Sequence, residues 1–114
     1  DLMISDWSGV ALEFAFAFEK PVLYIDVPKK IRNPDFADIS EIPIEVSIRE
    51  KIGRIILPSK IKSIPNEIEN LKNRSSKIKN EIRNLRNDKI FNVGISDEYA
   101  AKQIIAILNK LKNK

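Results

Sequence analysis

The stretch DLMISDWSGVALEFAFAFEKPVLYID, residues 1–26, decides the predicted fold. Residues 2–4 are an apolar run that is typical of a strand, residues 10–20 are apolar almost all round, and residues 22–25 are a second apolar run after Pro21. A strand, a helix of about ten residues and another strand form a βαβ unit, in which the strands run parallel. The sequence therefore predicts an α/β fold built on a parallel sheet.

A turn of small and polar residues, Ser5 to Gly9, lies between the first strand and the helix. Ligands bind at the carboxyl ends of strands in open parallel sheets. Helix N-termini carry unpaired N–H groups and a partial positive charge, so they favour anions. Ser8 can cap the helix and offer its hydroxyl, and Gly9 allows an anion to approach the backbone. The alternative, that Ser8 only caps and Gly9 only turns, stays open because a lone Ser-Gly turn is a weak signal.

Three motifs of this stretch carry a family resemblance. Residues 4–10 (ISDWSGV), 13–14 (EF) and 20–24 (KPVLY) resemble the C-terminal domain of the CDP-glycerol glycerophosphotransferases, which are teichoic-acid-type polymerases of the GT-B fold. A similar stretch occurs in other GT-B enzymes, including the UDP-N-acetylglucosamine 2-epimerases. The resemblance covers residues 1–34 and is weak beyond them. Gly9 stands where the polymerases usually have a second serine.

The resemblance implies a nucleotide-binding site in the turn. In the family, the serines and amides of this turn hold the diphosphate of the donor, which implies that role for Ser5, Ser8, Gly9 and the N–H of Val10. In related GT-B enzymes an acidic residue one to two turns into the helix binds the ribose hydroxyls, which implies that role for Glu13. The implied donor is CDP-glycerol or another nucleotide diphosphate conjugate, and we assign no cofactor and no metal-binding residue to the chain.

Composition limits the chemistry available within the chain. Its 114 residues, 43% of them hydrophobic, suffice for one small domain. The absence of Cys and His excludes disulfides, thiolate metal sites and imidazole bases from the chain. The resemblance then implies that the catalytic residues lie upstream. We expect residues 1–114 to be the donor-nucleotide-binding, C-terminal part of a larger transferase, inactive without its N-terminal domain, with residues 60–114 mainly helical.

The net charge and the length of the apolar runs bear on the binding partners of the chain and on its location in the cell. The formal net charge is +4, which is compatible with an anionic substrate, an anionic membrane surface or neither. No apolar run is long enough to cross a bilayer. The resemblance implies a cytoplasmic protein, with peripheral contact at the inner face of the membrane as an option, and an anionic polymer as acceptor.

A basic loop follows the second predicted strand. It contains two prolines and the cations Lys29, Lys30 and Arg32. Because it starts at the carboxyl end of that strand, we expect it to overhang the same face as Ser8. These cations could contact phosphates or the acceptor polymer, and the alternative is a solvated loop.

A second βαβ unit is predicted by residues 44–57. Ile44, Ile48 and Ile52 lie four residues apart on one face of a helix, and Gly53 suits the position after its end. Residues 54–57 then form a third strand. Glu45 and Arg49 are also four residues apart, and we expect them to pair on the exposed face in a structural role.

The region 60–89 combines an apolar seam with basic faces. The seam consists of Ile64, Ile68, Leu71, Ser75, Ile78, Ile82 and Leu85. It predicts a helix face that packs on the sheet or on another helix. Two helices broken near residues 75–76, or a short coiled coil, would also fit this spacing. Nucleic-acid binding is disfavoured because no aromatic residue or known motif accompanies the cations, whereas an anionic membrane surface is an option. The cations are Lys72, Arg74, Lys77, Lys79, Arg83, Arg86 and Lys89.

The last segment predicts a helix capped by Ser96, with Asp97 and Glu98 in its first turn. Its predicted buried face comprises Tyr99, Ala100, Ile104, Ile107, Leu108 and Leu111.

The leading hypothesis for the chain is that it is the donor-binding part of a transferase. Such a transferase moves glycerol phosphate, or a sugar, to a cell-envelope polymer such as teichoic acid or capsule. The alternatives are a nucleotide-sugar 2-epimerase, another GT-B glycosyltransferase, or a non-enzymatic interaction domain that uses the basic helices of residues 60–89.

Overall fold

A three-stranded parallel sheet forms the centre of the fold. The computed structural model describes residues 2–29, 31 and 33–112. Within them, strands β1 (Met3–Ser5), β2 (Val22–Ile25) and β3 (Gly53–Ile56) pair in the order β1-β2-β3. Both pairings are parallel, with Ser5 in register with Tyr24 and Ile25 in register with Ile56. The predicted α/β class and parallel sheet are confirmed.

Helices connect the strands and follow the sheet. The helices are α1 (Val10–Phe18), α2 (Ile44–Ser47), α3 (Arg49–Ile52), α4 (Ile64–Asn73), α5 (Ser75–Lys89) and α6 (Ser96–Lys112), with short 3₁₀ turns at Phe36–Asp38 and Pro58–Ser63. The helix predicted over residues 44–52 is thus in two short pieces, separated at Ile48. Ile48 and Ile52 are both buried, so the predicted face of this segment still packs into the core.

Helix α1 ends at Glu19, which adopts a left-handed conformation with φ of 53°. The N–H of Glu19 donates to the carbonyl of Ala15 at 2.9 Å and closes the last turn. Pro21 follows and has no N–H to continue the helix. Ala11 and Ala15 are fully buried, and their small side chains allow α1 to lie close to its neighbours.

Gly53 directly follows the last residue of α3 and is also the first residue of strand β3. Its φ of −178° is extended, so Gly53 follows the helix as predicted but does not adopt the left-handed conformation that glycine often has there. Gly53 lies in register with Val22 of β2. A Cβ atom on Gly53 would overlap the carbonyl oxygen of Val22 and lie 2.7 Å from its carbonyl carbon. Glycine is therefore required here because two strands approach closely.

The core is built on β2 and covered by the helices that follow the sheet. Val22 and Leu23, on opposite faces of β2, are both fully buried. From α4 and α5, Leu71, Ile78 and Ile82 join the same buried cluster. The seam of residues 64–85 thus packs on the core of its own chain, in two helices. The chain breaks at Arg74, one residue before the predicted position.

Helix α6 lies at the surface, with none of its residues buried. Ile104, Ile107 and Leu111 are each more than half exposed. The prediction that these residues form a buried face is therefore wrong for the described chain. An amphipathic pattern predicts which side of a helix prefers burial, but burial itself requires a partner surface.

The carboxylate of Glu19 connects the end of α1 to α5 through ion pairs. Arg83 donates to it through Nη2 at 2.6 Å and Nε at 3.1 Å, and Arg86 donates through Nη2 at 2.9 Å. Arg86 Nη1 also donates to the carbonyl of Phe16 at 2.7 Å, at the negative end of the α1 dipole. Three of the predicted basic residues, Lys79 among them, are therefore engaged with the same carboxylate.

This cluster predicts a loss of stability in acid. Hydrogen bonds from Arg83 are the main cause that lowers the pKa of Glu19 from 4.5 to about 2. A depressed pKa stabilises the folded state at pH above the unfolded pKa, and the contribution disappears as pH falls from about 4.5 to about 2. We expect Glu19→Gln to lower the thermal midpoint at pH 6 and to match the wild type near pH 2. Glu81→Gln, which removes an exposed pair with Lys77 at 3.9 Å, is the control and should change little. A Glu19 carboxyl that titrates near 4.5 by NMR would contradict the prediction.

Candidate functional site

The predicted turn presents polar groups to solvent at the start of α1. Ser8, Gly9 and Val10 are all exposed, and Ser5 at the end of β1 is partly buried. The N–H groups of Ala11 and Leu12 donate to the carbonyls of Ser8 and Gly9, at 3.2 and 3.0 Å. The helical hydrogen bonds thus begin at Ala11. In the described part of the chain, the N–H groups of Gly9 and Val10 have no backbone partner and remain available.

The hydroxyl of Ser8 does not cap α1. The capping position is Gly9, which has helical angles of φ −59° and ψ −28°, and no side chain caps the helix there. The prediction of Ser8 as the cap is therefore wrong, because no hydrogen bond joins its hydroxyl to a backbone N–H of the first turn in the described chain. The exposed Ser8 hydroxyl sits beside the Gly9 and Val10 amides without a capping role.

Trp7 connects the turn to the loop that follows β2 through a hydrogen bond. Its Nε1 donates to the carbonyl of Val27 at 2.7 Å. The Nζ of Lys29, from the same loop, lies 5.7 Å from the centroid of the Trp7 ring and 5.8 Å from that of Phe36. The loop thus overhangs the turn as predicted, and it brings one cation there. Lys30 and Arg32 lie outside the described residues.

Glu13 lies on the exposed side of α1, one turn after Gly9. Its N–H donates to the carbonyl of Gly9 at 3.3 Å. Residues four apart share a helix face, so the carboxylate of Glu13 and the turn lie on the same side of α1. The placement is compatible with the predicted contact to ribose hydroxyls, which stays a prediction.

Arg49 is the main residue of the site that the sequence analysis missed. The sequence predicted a surface pair with Glu45, but Arg49 is only 3% exposed. Its Nη1 donates instead to Oδ1 of Asp26 at 3.0 Å. The guanidinium carbon lies 3.7 Å from the centroid of the Trp7 ring and 4.7 Å from that of Tyr24. Arg49 thus links the turn to the carboxyl end of β2.

Burial fixes the protonation state of Tyr24. Removal from water raises the pKa of Tyr24 to about 12, and the positive charge of Arg49 opposes this only in part. The phenol is therefore neutral at physiological pH. Tyr24 contributes a ring face to Arg49.

A small cavity of about 10 Å³ lies among these side chains. Its lining residues are Asp6, Trp7, Ser8, Leu12, Tyr24, Glu45 and Arg49. The Nε and Nη2 atoms of Arg49 are buried, and neither has a hydrogen-bond partner among the residues that the structure describes. Nearly all buried polar groups in proteins are hydrogen-bonded, so two unpaired donors on one side chain are unusual.

No family model, curated protein or solved structure matches the chain. The function must therefore be inferred from the arrangement of the residues themselves. The start of α1 has exposed residues with amides that take no backbone partner in the described chain, and Ser8 and Arg49 line one small cavity beside it.

Two further observations concern cofactors and membranes. Among residues 2–29, 31 and 33–112, no group of three or more acidic, His or Cys side chains is placed to hold a metal ion. Over the same residues, no helix combines the length and apolarity needed to cross a membrane.

An open apolar cavity of about 450 Å³ borders the site. It is formed by the loop after β2 and the segment leading into α2, and Lys29 lines it as well as overhanging the turn. A volume of this size is typical of small-molecule pockets. The site therefore has apolar space next to its polar groups.

Proposed function

We propose that the chain supplies the donor-nucleotide-binding part of a GT-B-type transferase. Such an enzyme would move glycerol phosphate, or a sugar, from a nucleotide diphosphate to a cell-envelope polymer such as teichoic acid or capsule. The observation that carries the proposal is the exposed Ser8 hydroxyl beside the free amides of Gly9 and Val10, at the carboxyl end of β1. The sequence resemblance supplies the reaction class.

The proposed role of this site is to hold the departing phosphate. Negative charge accumulates on the leaving diphosphate as the transferred group departs. Amides that are already oriented by α1 stabilise that charge without reorganising, and the helix dipole adds to their effect. Lys29 contributes a further positive charge above the turn. The adjoining apolar cavity offers space for another part of the donor.

The activating base belongs elsewhere in this proposal. The chain has no histidine, and burial keeps the Tyr24 phenol protonated. The described residues thus provide anchoring and charge stabilisation, and the group that activates the acceptor comes from another domain. We expect the 114-residue chain to bind nucleotide weakly and to transfer nothing.

A titration of the chain with CDP tests the proposal. We expect amide resonances of Gly9 and Val10 to shift in ¹H–¹⁵N spectra, with a Kd on the order of 1 mM. Ser8→Ala removes one hydrogen bond to the diphosphate and should weaken binding about three- to tenfold. Ser76→Ala, at an exposed serine of α5, is the matched control and should leave binding unchanged. In the full-length enzyme, Ser8→Ala should cost at least a few-fold in rate.

The same titration distinguishes the alternatives. Equal binding of UDP would fit another nucleotide-sugar enzyme of this fold. Binding of short nucleic acids alone would remove the support for a transferase and favour an interaction domain on α4 and α5. Such an interaction domain would have few unpaired cations, since six of the seven predicted cations form ion pairs within the described chain. Those six are Lys72, Lys77, Lys79, Arg83, Arg86 and Lys89.

A further inference from the structure

We propose that the exposed face of α6 is an interface between two copies of this chain, in which the two α6 helices pair antiparallel. The inference is independent of the proposed function and starts from exposure, since no residue of α6 is buried. Its five large aliphatic side chains are between 50% and 64% exposed, and they are Ile104, Ile105, Ile107, Leu108 and Leu111. An apolar surface of this extent is typical of a protein interaction site.

One stripe along α6 carries opposite charges at its two ends. Its members follow one another at alternating steps of three and four residues, which places them on one side of the helix. They are Glu98, Ala101, Ile105, Leu108 and Lys112, and all are exposed. Glu98 and Lys112 are each seven residues from Ile105. The stripe is therefore symmetric in position and opposite in charge about its centre.

This pattern favours an antiparallel pair of identical helices. When two stripes meet at Ile105 and run in opposite directions, Glu98 of each copy lies opposite Lys112 of the other. The two-fold axis thus produces two ion pairs. Ala101 then lies near Leu108 of the second copy, so a small side chain adjoins a large one. A parallel pair would instead place each charge beside its own equivalent, and like charges repel.

Both charged residues are available for a partner. Among the ion pairs within residues 2–29, 31 and 33–112, none involves Glu98 or Lys112. An anionic membrane surface is the main competing occupant of an amphipathic helix. Asp97 and Glu98 in the first turn of α6 would be repelled by such a surface, whereas in the antiparallel pair they face the basic end of the second copy.

The area of a single helix face limits the affinity. A helix of 17 residues is about 25 Å long. Two faces of this length bury less than the roughly 800 Å² per partner of a standard interface. We therefore expect a Kd on the order of 0.1 mM. At a few micromolar the chain is then monomeric, and α6 contributes little to a free energy of unfolding measured there.

Sedimentation equilibrium of the 114-residue chain, from about 10 µM to about 1 mM, tests the proposal. We expect the weight-average mass to rise from 13.1 kDa towards twice that value. Ile105→Asp places a charge on each side of the centre of the pair and should leave the chain monomeric at about 1 mM. Ile61→Asp, at a residue outside α6 that is 54% exposed, is the matched control and should dimerise like the wild type.

Charge reversal tests the direction of the helices. Lys112→Glu sets two carboxylates against each other at both ends of the antiparallel pair, and should raise the Kd about fivefold. Glu98→Lys should do the same with two ammonium groups. An equimolar mixture of these two variants should associate at close to the wild-type Kd, because the reversed residues then attract. Lys62→Glu, at an exposed lysine outside α6, is the matched control and should not change the Kd.

Each outcome decides. A mass of 13.1 kDa up to about 1 mM overturns the proposal, and so does a dimer that Ile105→Asp leaves unchanged. A dimer that Lys112→Glu does not weaken overturns the antiparallel arrangement. A monomeric chain that sediments with vesicles of phosphatidylcholine and phosphatidylglycerol would assign α6 to a membrane surface instead. Circular dichroism checks the folding of each variant, and if Ile105→Asp does not fold, the two charge variants and their mixture decide.

Discussion

A Gly53→Ala variant is expected not to fold. The added Cβ would overlap the carbonyl oxygen of Val22 in the neighbouring strand, and both atoms belong to the paired backbones of β2 and β3. Relief would require one strand to move, which breaks the pairing at the centre of the sheet. We estimate a cost of more than about 4 kcal/mol, a large part of the total stability of a small domain.

Gly9→Ala is the control for this prediction. Gly9 has a φ of −59°, and apart from its own local backbone and chain neighbours no atom of the described residues lies within 4 Å of the position that its Cβ would occupy. We expect Gly9→Ala to unfold within about 1 kcal/mol of the wild type in urea, with a similar circular dichroism spectrum. Cooperative unfolding of Gly53→Ala at the wild-type urea concentration would show that β2 and β3 do not approach as described.

Replacing Ile82 by alanine should produce the second largest effect. Ile82 is fully buried in the cluster that joins α5 to the sheet. Truncation to alanine removes apolar contacts and leaves a cavity, which costs about 3 kcal/mol. The measurement is the free energy of unfolding in urea.

The matched control is the same substitution at Ile104 of α6. Ile104 is 59% exposed, so Ile104→Ala should change the free energy of unfolding by less than about 0.5 kcal/mol. Equal losses at Ile82 and Ile104 would mean that α6 packs against something in solution. Equal and small losses would instead contradict the buried position of Ile82.

The first βαβ unit was predictable because its signals are local. Residues 22–25 form β2 as predicted, and Pro21 marks the end of the helical segment before it. The seam of residues 64–85 was also predictable, since its apolar spacing repeats over several turns. A break near residues 75–76 was among the predicted arrangements, and the structure has it at Arg74.

The errors concern contacts between distant segments. The position of Gly53 directly after a helix was predicted, but the reason why this position requires glycine was not. Its actual constraint comes from Val22, which lies 31 positions earlier in the sequence, and so depends on strand register. Likewise, the burial of α6 depends on a partner surface that no periodicity reveals.

Only part of the candidate site was predictable, because some of its contacts also join residues that are distant in the sequence. The exposed turn follows from the order of strand and helix, and the overhanging Lys29 follows from where β2 ends. Arg49 was missed because spacing pairs it with Glu45 on a helix, whereas the structure pairs it with Asp26. One signal was present: a carboxylate directly after a buried strand favours a nearby cation, and Arg49 adjoins the buried Ile48.

The position of Trp7 has a practical consequence. It is the chain's only tryptophan, and its indole contacts Arg49 and bonds to Val27 within the site. Its fluorescence therefore reports the polarity of this one location without any label. Comparing the emission wavelength with the circular dichroism of the helices during unfolding will show whether the site loosens before the rest of the domain melts.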